Sequence, residues 1–261
     1  MTALVRAAHA GPAGAVTLLA VLLAVAERLE PGRVLLVGAA VLAGQLSIGW
    51  SNDLIDAARD RAVGRTDKPL ASGALRPRTV RIACALALAA TLPLSLACGL
   101  ASGLAHLVLV ASAWTYNLGL KATAWSWLPY AVSFGLLPVV VSLAGAPPEA
   151  PPAWVPIAAA LLGVGAHLVN VLPDLADDAA TGVHGLPHRI GPSRLPAAAT
   201  AVLVAGSVVV AVGTRFTLAS VVALGCVALL AAVALVGRGR TPFLAAVAIA
   251  LVDAVALLAA Q

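Results

Sequence analysis

Long apolar runs separated by short polar segments make up most of this chain. Most are long enough to cross the roughly 30 Å hydrocarbon layer of a bilayer as a helix. Nine can be read: residues 12–29, 34–56, 79–98, 103–120, 123–144, 153–174, 196–214, 217–236 and 241–260. Merging one hairpin would give eight. Ala, Leu and Val fill the runs and Gly recurs in them, which lets helices approach closely in lipid. Two runs end unusually. The second and the sixth are apolar for most of their length and then turn abruptly acidic. The only long polar segments, about 57–78 and 176–195, follow these two, and their Gly, Pro and charge content predicts loops. The pattern predicts an all-α polytopic membrane protein, one domain over residues 1–261, with about nine transmembrane helices.

Composition agrees. The chain is 61% hydrophobic and 10% charged, with a mean hydropathy of +1.01, whereas a soluble domain is about a quarter charged. With a cytoplasmic N-terminus, thirteen of the 16 Lys and Arg residues fall on the inner side: Arg6, Arg59, Arg61, Arg65, Lys68, Arg76, Arg78, Arg81, Lys121, Arg189, Arg194, Arg238 and Arg240. Only Arg28, Arg33 and Arg215 fall outside. This is a positive-inside distribution, so the net charge of +5 needs no nucleic acid to explain it. It predicts an integral protein of the cell (inner) membrane with both acidic ends facing the cytoplasm. The first run lacks a small-residue cleavage site and is expected to be a span, not a signal peptide. Cys84, Cys98 and Cys226 are odd in number and lack metal-ligand spacing, so all three are expected to be small buried residues.

The two acidic ends are copies of one pattern. At a constant offset of 118, Asn52, Leu54, Asp56, Ala58, Asp60, Ala62, Gly64, Pro69 and Gly73 meet Asn170, Leu172, Asp174, Ala176, Asp178, Ala180, Gly182, Pro187 and Gly191. That is nine identities in 22 positions without a gap. The repeat predicts two related four-helix halves, helices two to five and six to nine, with helix one added in front.

Residues three, four and seven apart share a helix face. Asn52, Asp53, Asp56 and Asp60 should therefore line one side of helix two, and Asn170, Asp174, Asp177 and Asp178 one side of helix six. Two groups of carboxylates at a membrane surface repel one another unless a cation joins them. Oxygen-only ligands without a His or Cys set favour Mg²⁺ over zinc. Arg61, Arg65 and Lys68 follow the first group, Arg189 the second, and Lys121 closes the otherwise apolar Tyr116-Asn117-Leu118-Gly119-Leu120-Lys121. Carboxylate-held metal and nearby cations suit a diphosphate, whose charge they neutralise as it leaves.

These residues resemble the UbiA superfamily of intramembrane prenyltransferases. Its N-D-x-x-D-x-x-x-D motif is similar to Asn52-Asp53-Leu54-Ile55-Asp56-Ala57-Ala58-Arg59-Asp60, and its D-x-x-x-D motif to Asp174-Leu175-Ala176-Asp177-Asp178. Asp67-Lys68-Pro69-Leu70 looks like its basic-Pro-Leu stretch, Tyr116 to Lys121 like its Y-x-x-x-x-K element, and Gly185-Leu186-Pro187 through Gly191 like its second loop. The resemblance implies a bundle with a large central cavity, capped at the cytoplasmic side by the motif loops. It implies Mg²⁺-dependent transfer of a prenyl group from a prenyl diphosphate to an acceptor, with an aromatic acceptor as the first choice, as in quinone or lipid biosynthesis. Asn52, Asp53, Asp56, Asp60, Asp174 and Asp178 would hold metal. Arg61, Arg65, Lys68 and Lys121 would bind diphosphate, and Asp56, Asp174 and Lys121 would be catalytic. Asn170, Asp177, Tyr116 and His167 would support the site, and Arg6 resembles a basic residue that approaches the acceptor in some members.

Other readings compete at particular residues. Trp125 and Trp127 suit an interfacial aromatic belt. His167 also reads as a buried structural histidine, and His184 and His188 as loop residues. Terpene cyclisation is the alternative chemistry within the superfamily. An ion-coupled transporter also uses repeats and intramembrane carboxylates, but near the midplane and in broken helices. A nucleotide-dependent phosphotransferase expects a D-G…A-R motif that this chain lacks.

Overall fold

The computed structural model describes residues 2–237 and 241–259; Arg238 and Arg240, expected on the inner side, and residue 260 of the last expected run lie outside the described residues. Among the described residues the fold is all-α. The helices are α1 (Thr2–Ala7), α2 (Ala10–Ala26), α3 (Pro31–Ala62), α4 (Pro77–Ala97), α5 (Leu100–Asn117), α6 (Leu128–Leu143), α7 (Trp154–Val171), α8 (Leu175–Ala180), α9 (Leu186–Ile190), α10 (Leu195–Gly213), α11 (Leu218–Val236) and α12 (Thr241–Ala259). Short 3-10 turns stand at Leu120–Ala122 and Leu172–Asp174. A helix of at least 16 residues falls in each stretch expected from apolarity. Among the described residues, five are long and apolar enough to cross a membrane: α3, α4, α10, α11 and the α7–α8 run Trp154–Ala180. A helix satisfies its own backbone hydrogen bonds, the condition hydrocarbon imposes on any spanning segment.

Two compact units divide the chain, though not at the expected place. The first holds residues Met1–Gly119 and Val140–Glu149; the second holds Leu120–Val139 and Ala150–Gln261. Most of α6 thus belongs with the later helices, whereas the repeat had assigned it to the earlier half. In the first unit α3 packs against α2, α4 and α5. Its buried side is built from small residues, among them Gly38, Ala40, Gly44, Ser47, Gly49 and Ser51. A Cβ at Gly49 would overlap the Ala8 carbonyl, and one at Gly44 would press on Val110 and His106. In the second unit α10 packs against α7, α11 and α12. Leu162, Leu168, Leu195, Leu203, Val210 and Ile249 form its core. Within this apolar packing Ser207 of α10 donates a 2.7 Å hydrogen bond to Asp253 Oδ2 of α12.

Helix α3 has 32 residues, so at 1.5 Å per residue it is about 48 Å long. That exceeds the hydrocarbon layer by about 18 Å, or roughly twelve residues, enough to carry the whole acidic pattern as regular helix beyond the span. The expected loop from about 57 accordingly begins only at Val63. The sixth stretch behaves differently. Pro173 lacks an N–H and its ring clashes with the carbonyl four residues back; the helix stops at Val171, passes through a 3-10 turn and resumes as α8. The second acidic pattern is therefore spread over three segments, a correction to the single helix face expected for it. Likewise the expected loop 176–195 contains α8 and α9. Cys84 and Cys98 are buried, but Cys226 is exposed on α11, contrary to expectation.

Candidate functional site

The first acidic pattern occupies the last three turns of α3, where four-residue spacing stacks Asn52, Asp56 and Asp60. Asp53, Asp56 and Asp60 are 1%, 5% and 4% exposed. Asn52 Nδ2 donates to Asp56 Oδ2 (3.1 Å) and to Asn117 Oδ1 (3.3 Å). Asn117, the last residue of α5, donates in turn to the Ile48 carbonyl (3.0 Å) and to Ser51 Oγ (2.8 Å). The end of α5 is thus pinned to α3 and fixes the Asn52 amide. Arg59 Nη2 lies 3.1 Å from Asp56 Oδ2.

Three carboxylate oxygens break the rule that buried polar groups are paired. Neither oxygen of Asp53 nor Oδ2 of Asp60 receives a hydrogen bond, although all are buried. Lys68 Nζ stands 3.8 Å from Asp53 Oδ1, close enough to attract but too far to donate. Burying carboxylates without partners is costly, and a hard cation with oxygen ligands removes the cost. Among the described residues no three His, Cys, Asp or Glu side chains converge as a preformed metal cage. Mg²⁺ takes one or two carboxylates and completes its shell with water and substrate phosphate.

The basic residues at and beyond the end of α3 divide. Arg65 grips Asp67 through Nε (2.9 Å) and Nη2 (3.0 Å), and this hydrogen-bonded guanidinium holds the Asp67 carboxyl below the usual carboxylate range. Arg61 is exposed and reaches the Leu70 carbonyl at 3.4 Å. Lys68 alone sits beside the buried carboxylates, with its Nζ 2.9 Å from His9 Nε2. His9 precedes the first apolar helix. Burial, then the Lys68 charge, push its pKa down to about 4, so it stays neutral near pH 7. Arg6 of α1 donates to the Asp67 carbonyl at 2.7 Å, which makes it a loop anchor. Tyr116 stands next to Asn117 at the end of α5.

In the second unit Asp174 closes the 3-10 turn and Asp177 and Asp178 lie in the first turn of α8. Asn170 and Asp177 are exposed, Asp174 and Asp178 half-buried. Asp53 and Asp177, which the 118-residue offset sets against Val171 and Arg59, therefore occupy opposite environments. Lys121 lies on the Leu120–Ala122 turn, against which the second loop is set: a Cβ at Gly185 would stand 2.5 Å from the Lys121 carbonyl. Ser126 Oγ accepts from the Leu186 amide (3.0 Å) and meets His167 Nε2 (3.1 Å). The Tyr130 ring covers His167 at a centroid distance of 4.7 Å. His188 is on α9, not in a loop, and its buried ring nitrogens have no hydrogen-bond partner; His184 meets its ring edge-on at 5.8 Å. Arg189 and Trp125 are exposed.

The structure thus gathers Asn52, Asp53, Asp56, Asp60 and Lys68, and turns Arg61 and Arg65 toward partners in their own loop. Sequence reasoning missed Asn117 and His9. Asn117 is the polar residue of an apolar run that had been quoted for its ends, Tyr116 and Lys121. His9 carries no local signal; it reaches the site only through the bend between α1 and α2.

Comparisons with known proteins follow the same outline. The model of the UbiA prenyltransferase family matches residues 13–255. Among solved structures, the chain is similar to the apo form of a UbiA homologue from Aeropyrum pernix K1, with a TM-score of 0.77 and 20% identity over 94% of this chain and 96% of that one. It is similar to a UbiA homologue from Archaeoglobus fulgidus bound to GPP and Mg²⁺, with a TM-score of 0.76 and 16% identity over 98% of both chains. A digeranylgeranylglyceryl phosphate synthase aligns with a TM-score of 0.70 and 16% identity over 99% of this chain and 97% of that one. No curated protein matches the sequence.

Proposed function

This chain belongs to the UbiA prenyltransferase family, and on that premise we propose that it transfers a prenyl group from a prenyl diphosphate to an acceptor at the membrane. The observation that carries the reading is the set of buried, hydrogen-bond-free carboxylate oxygens on Asp53 and Asp60 beside Lys68. A structure of one homologue holds GPP and Mg²⁺, which supports the same ligand pair for this chain.

Asn52, Asp53, Asp56 and Asp60 would hold Mg²⁺ in the first unit, and Asp174 and Asp178 in the second. The chemistry a bound Mg²⁺ supplies is neutralisation of charge on the diphosphate as its bond to the allylic carbon breaks. Lys68 and Lys121 bind the diphosphate oxygens and stabilise the leaving group, and Arg61 adds positive field from the end of α3. Asn117 holds the Asn52 amide, and Arg59 orients Asp56. As the diphosphate leaves, the allylic carbon is attacked by an electron-rich acceptor carbon, which then gives its proton to a base or water. An aromatic acceptor is the first choice because aromatic rings supply such a carbon. The catalytic face is the cytoplasmic one, where positive-inside bias puts both motif loops.

The test is incubation of purified protein with Mg²⁺, several prenyl diphosphates and a pooled acceptor panel, read by mass spectrometry. Prenylated product that disappears in Asp56→Ala and Asp174→Ala variants of retained fold is expected. Diphosphate release without any acceptor would indicate a cyclase. Equal signals from wild type and both variants would remove the enzyme reading.

A further inference from the structure

The bend between α1 and α2 is held in a conformation its sequence does not favour. His9 has φ +53° and ψ +52°, the left-handed region, which costs a non-glycine residue about 1–2 kcal/mol. Three contacts to the acidic helix and its loop keep it there. The Trp50 indole donates to the Leu4 carbonyl at 3.0 Å, and Arg6 donates to the Asp67 carbonyl at 2.7 Å. The Ala8 carbonyl occupies the space that a side chain at Gly49 would fill. This strain sets the imidazole of His9 against the ammonium of Lys68 at 2.9 Å and beside the Asn52 side chain.

An ammonium only donates, so His9 Nε2 is the acceptor and its ring proton is on Nδ1. This choice of partner has an electrostatic consequence. Arg65, three residues past the end of α3, is held by the Asp67 carboxylate, which fixes its position and offsets its charge. Lys68 is hydrogen-bonded instead by a neutral ring, which orients it without a second negative charge. With Asp53 at 3.8 Å, Lys68 is attracted on one side and hydrogen-bonded on the other.

We infer that His9 is a positioning residue for Lys68, holding the ammonium at the mouth of the carboxylate cluster for an incoming diphosphate. The inference rests on the reading of Lys68 as a diphosphate ligand. It makes the segment before the first apolar helix a working part of the site.

The test uses the full-length protein in detergent and separates contact from function. In ¹⁵N-histidine-labelled protein, one Nε2 should show the shift of an unprotonated, hydrogen-bonded nitrogen and should change in Lys68→Met. Titration with inorganic pyrophosphate in the presence of Mg²⁺ reads the function. His9→Leu should weaken pyrophosphate roughly tenfold, as loss of a hydrogen bond to a charged group does. His9→Gln, which keeps an acceptor near the Nε2 position and carries the same backbone strain as Leu, should recover most of that loss. On a Lys68→Met background His9→Leu should add nothing, because its effect passes through the lysine. An equal penalty from Gln and Leu, an undiminished penalty on the Lys68→Met background, or no penalty at all in a wild type that binds pyrophosphate would overturn the inference. An intact histidine signal in a wild type that does not bind pyrophosphate would instead overturn the reading of Lys68 on which it rests.

Discussion

Asp53 separates stability from activity at a single position. Its carboxylate is 1% exposed and unpaired by hydrogen bonds, so in the absence of a cation it works against folding. Asp53→Asn is expected to leave the Mg²⁺-free melting temperature unchanged or higher, while lowering turnover at saturating prenyl diphosphate by at least about tenfold, the scale at which even supporting groups of metal sites act. Thermal unfolding in detergent alongside product formation checks both halves; a lowered melting temperature would mean that the carboxylate has a structural partner. Much of this neighbourhood was legible in the sequence. Four-residue spacing on a regular helix placed Asn52, Asp56 and Asp60 together, and a rule of that kind needs no tertiary information. His9 and Asn117 were not legible, because each reaches Asn52 or Lys68 across more than forty residues of chain. Arg65 was legible as a cation but not as a neutralised one, since its bidentate contact with Asp67 depends on the turn after Gly64.

Helix α3 and the interrupted α7–α8 segment show what a repeat does and does not determine. The offset aligns Pro173 with Ile55. A proline in a helical pattern is a stop signal, yet the repeat argued for a second continuous helix; the local signal was the correct guide. In α3 the informative glycine is Gly49. Alanine is about 1 kcal/mol better than glycine inside a helix, so propensity alone predicts that Gly49→Ala stabilises. The overlap of its Cβ with the Ala8 carbonyl opposes this with a steric cost of about 1–3 kcal/mol, because backbone on both sides cannot rotate away. A net loss of melting temperature is expected, accompanied by a change in the His9 signal as the bend is pushed off α3. A stabilised Gly49→Ala protein would show that α1 does not dock there. At Gly185 the obstruction is the Lys121 carbonyl, so Gly185→Ala should lower turnover by displacing the turn that carries Lys121.

At the scale of the molecule, apolar runs and basic residues together predict an orientation that labelling can test. In a Cys226→Ser background, which removes the exposed native thiol, Ser72→Cys should react with an impermeant maleimide only from the cytoplasmic face and Glu149→Cys only from the other. The reverse pattern would place the acidic loops outside. Family and all-α class were readable from motifs and hydropathy, whereas the division of the chain was not: whether Leu120–Val139 joins earlier or later helices depends on packing between nearly identical Ala-, Leu- and Val-rich faces. One pair carries a consequence for biogenesis. Asp253 lies twelve residues into α12 and its partner Ser207 twelve residues into α10. An aspartate at mid-helix costs about 2.5–3.5 kcal/mol when a segment partitions alone into lipid. Because α10 precedes α12 in the chain, the hydroxyl that receives this side chain is already in the bilayer when α12 arrives. Insertion of α12 is therefore a step of assembly onto an earlier helix, and Ser207→Ala should lower its insertion efficiency while Asp253→Leu makes that efficiency independent of α10.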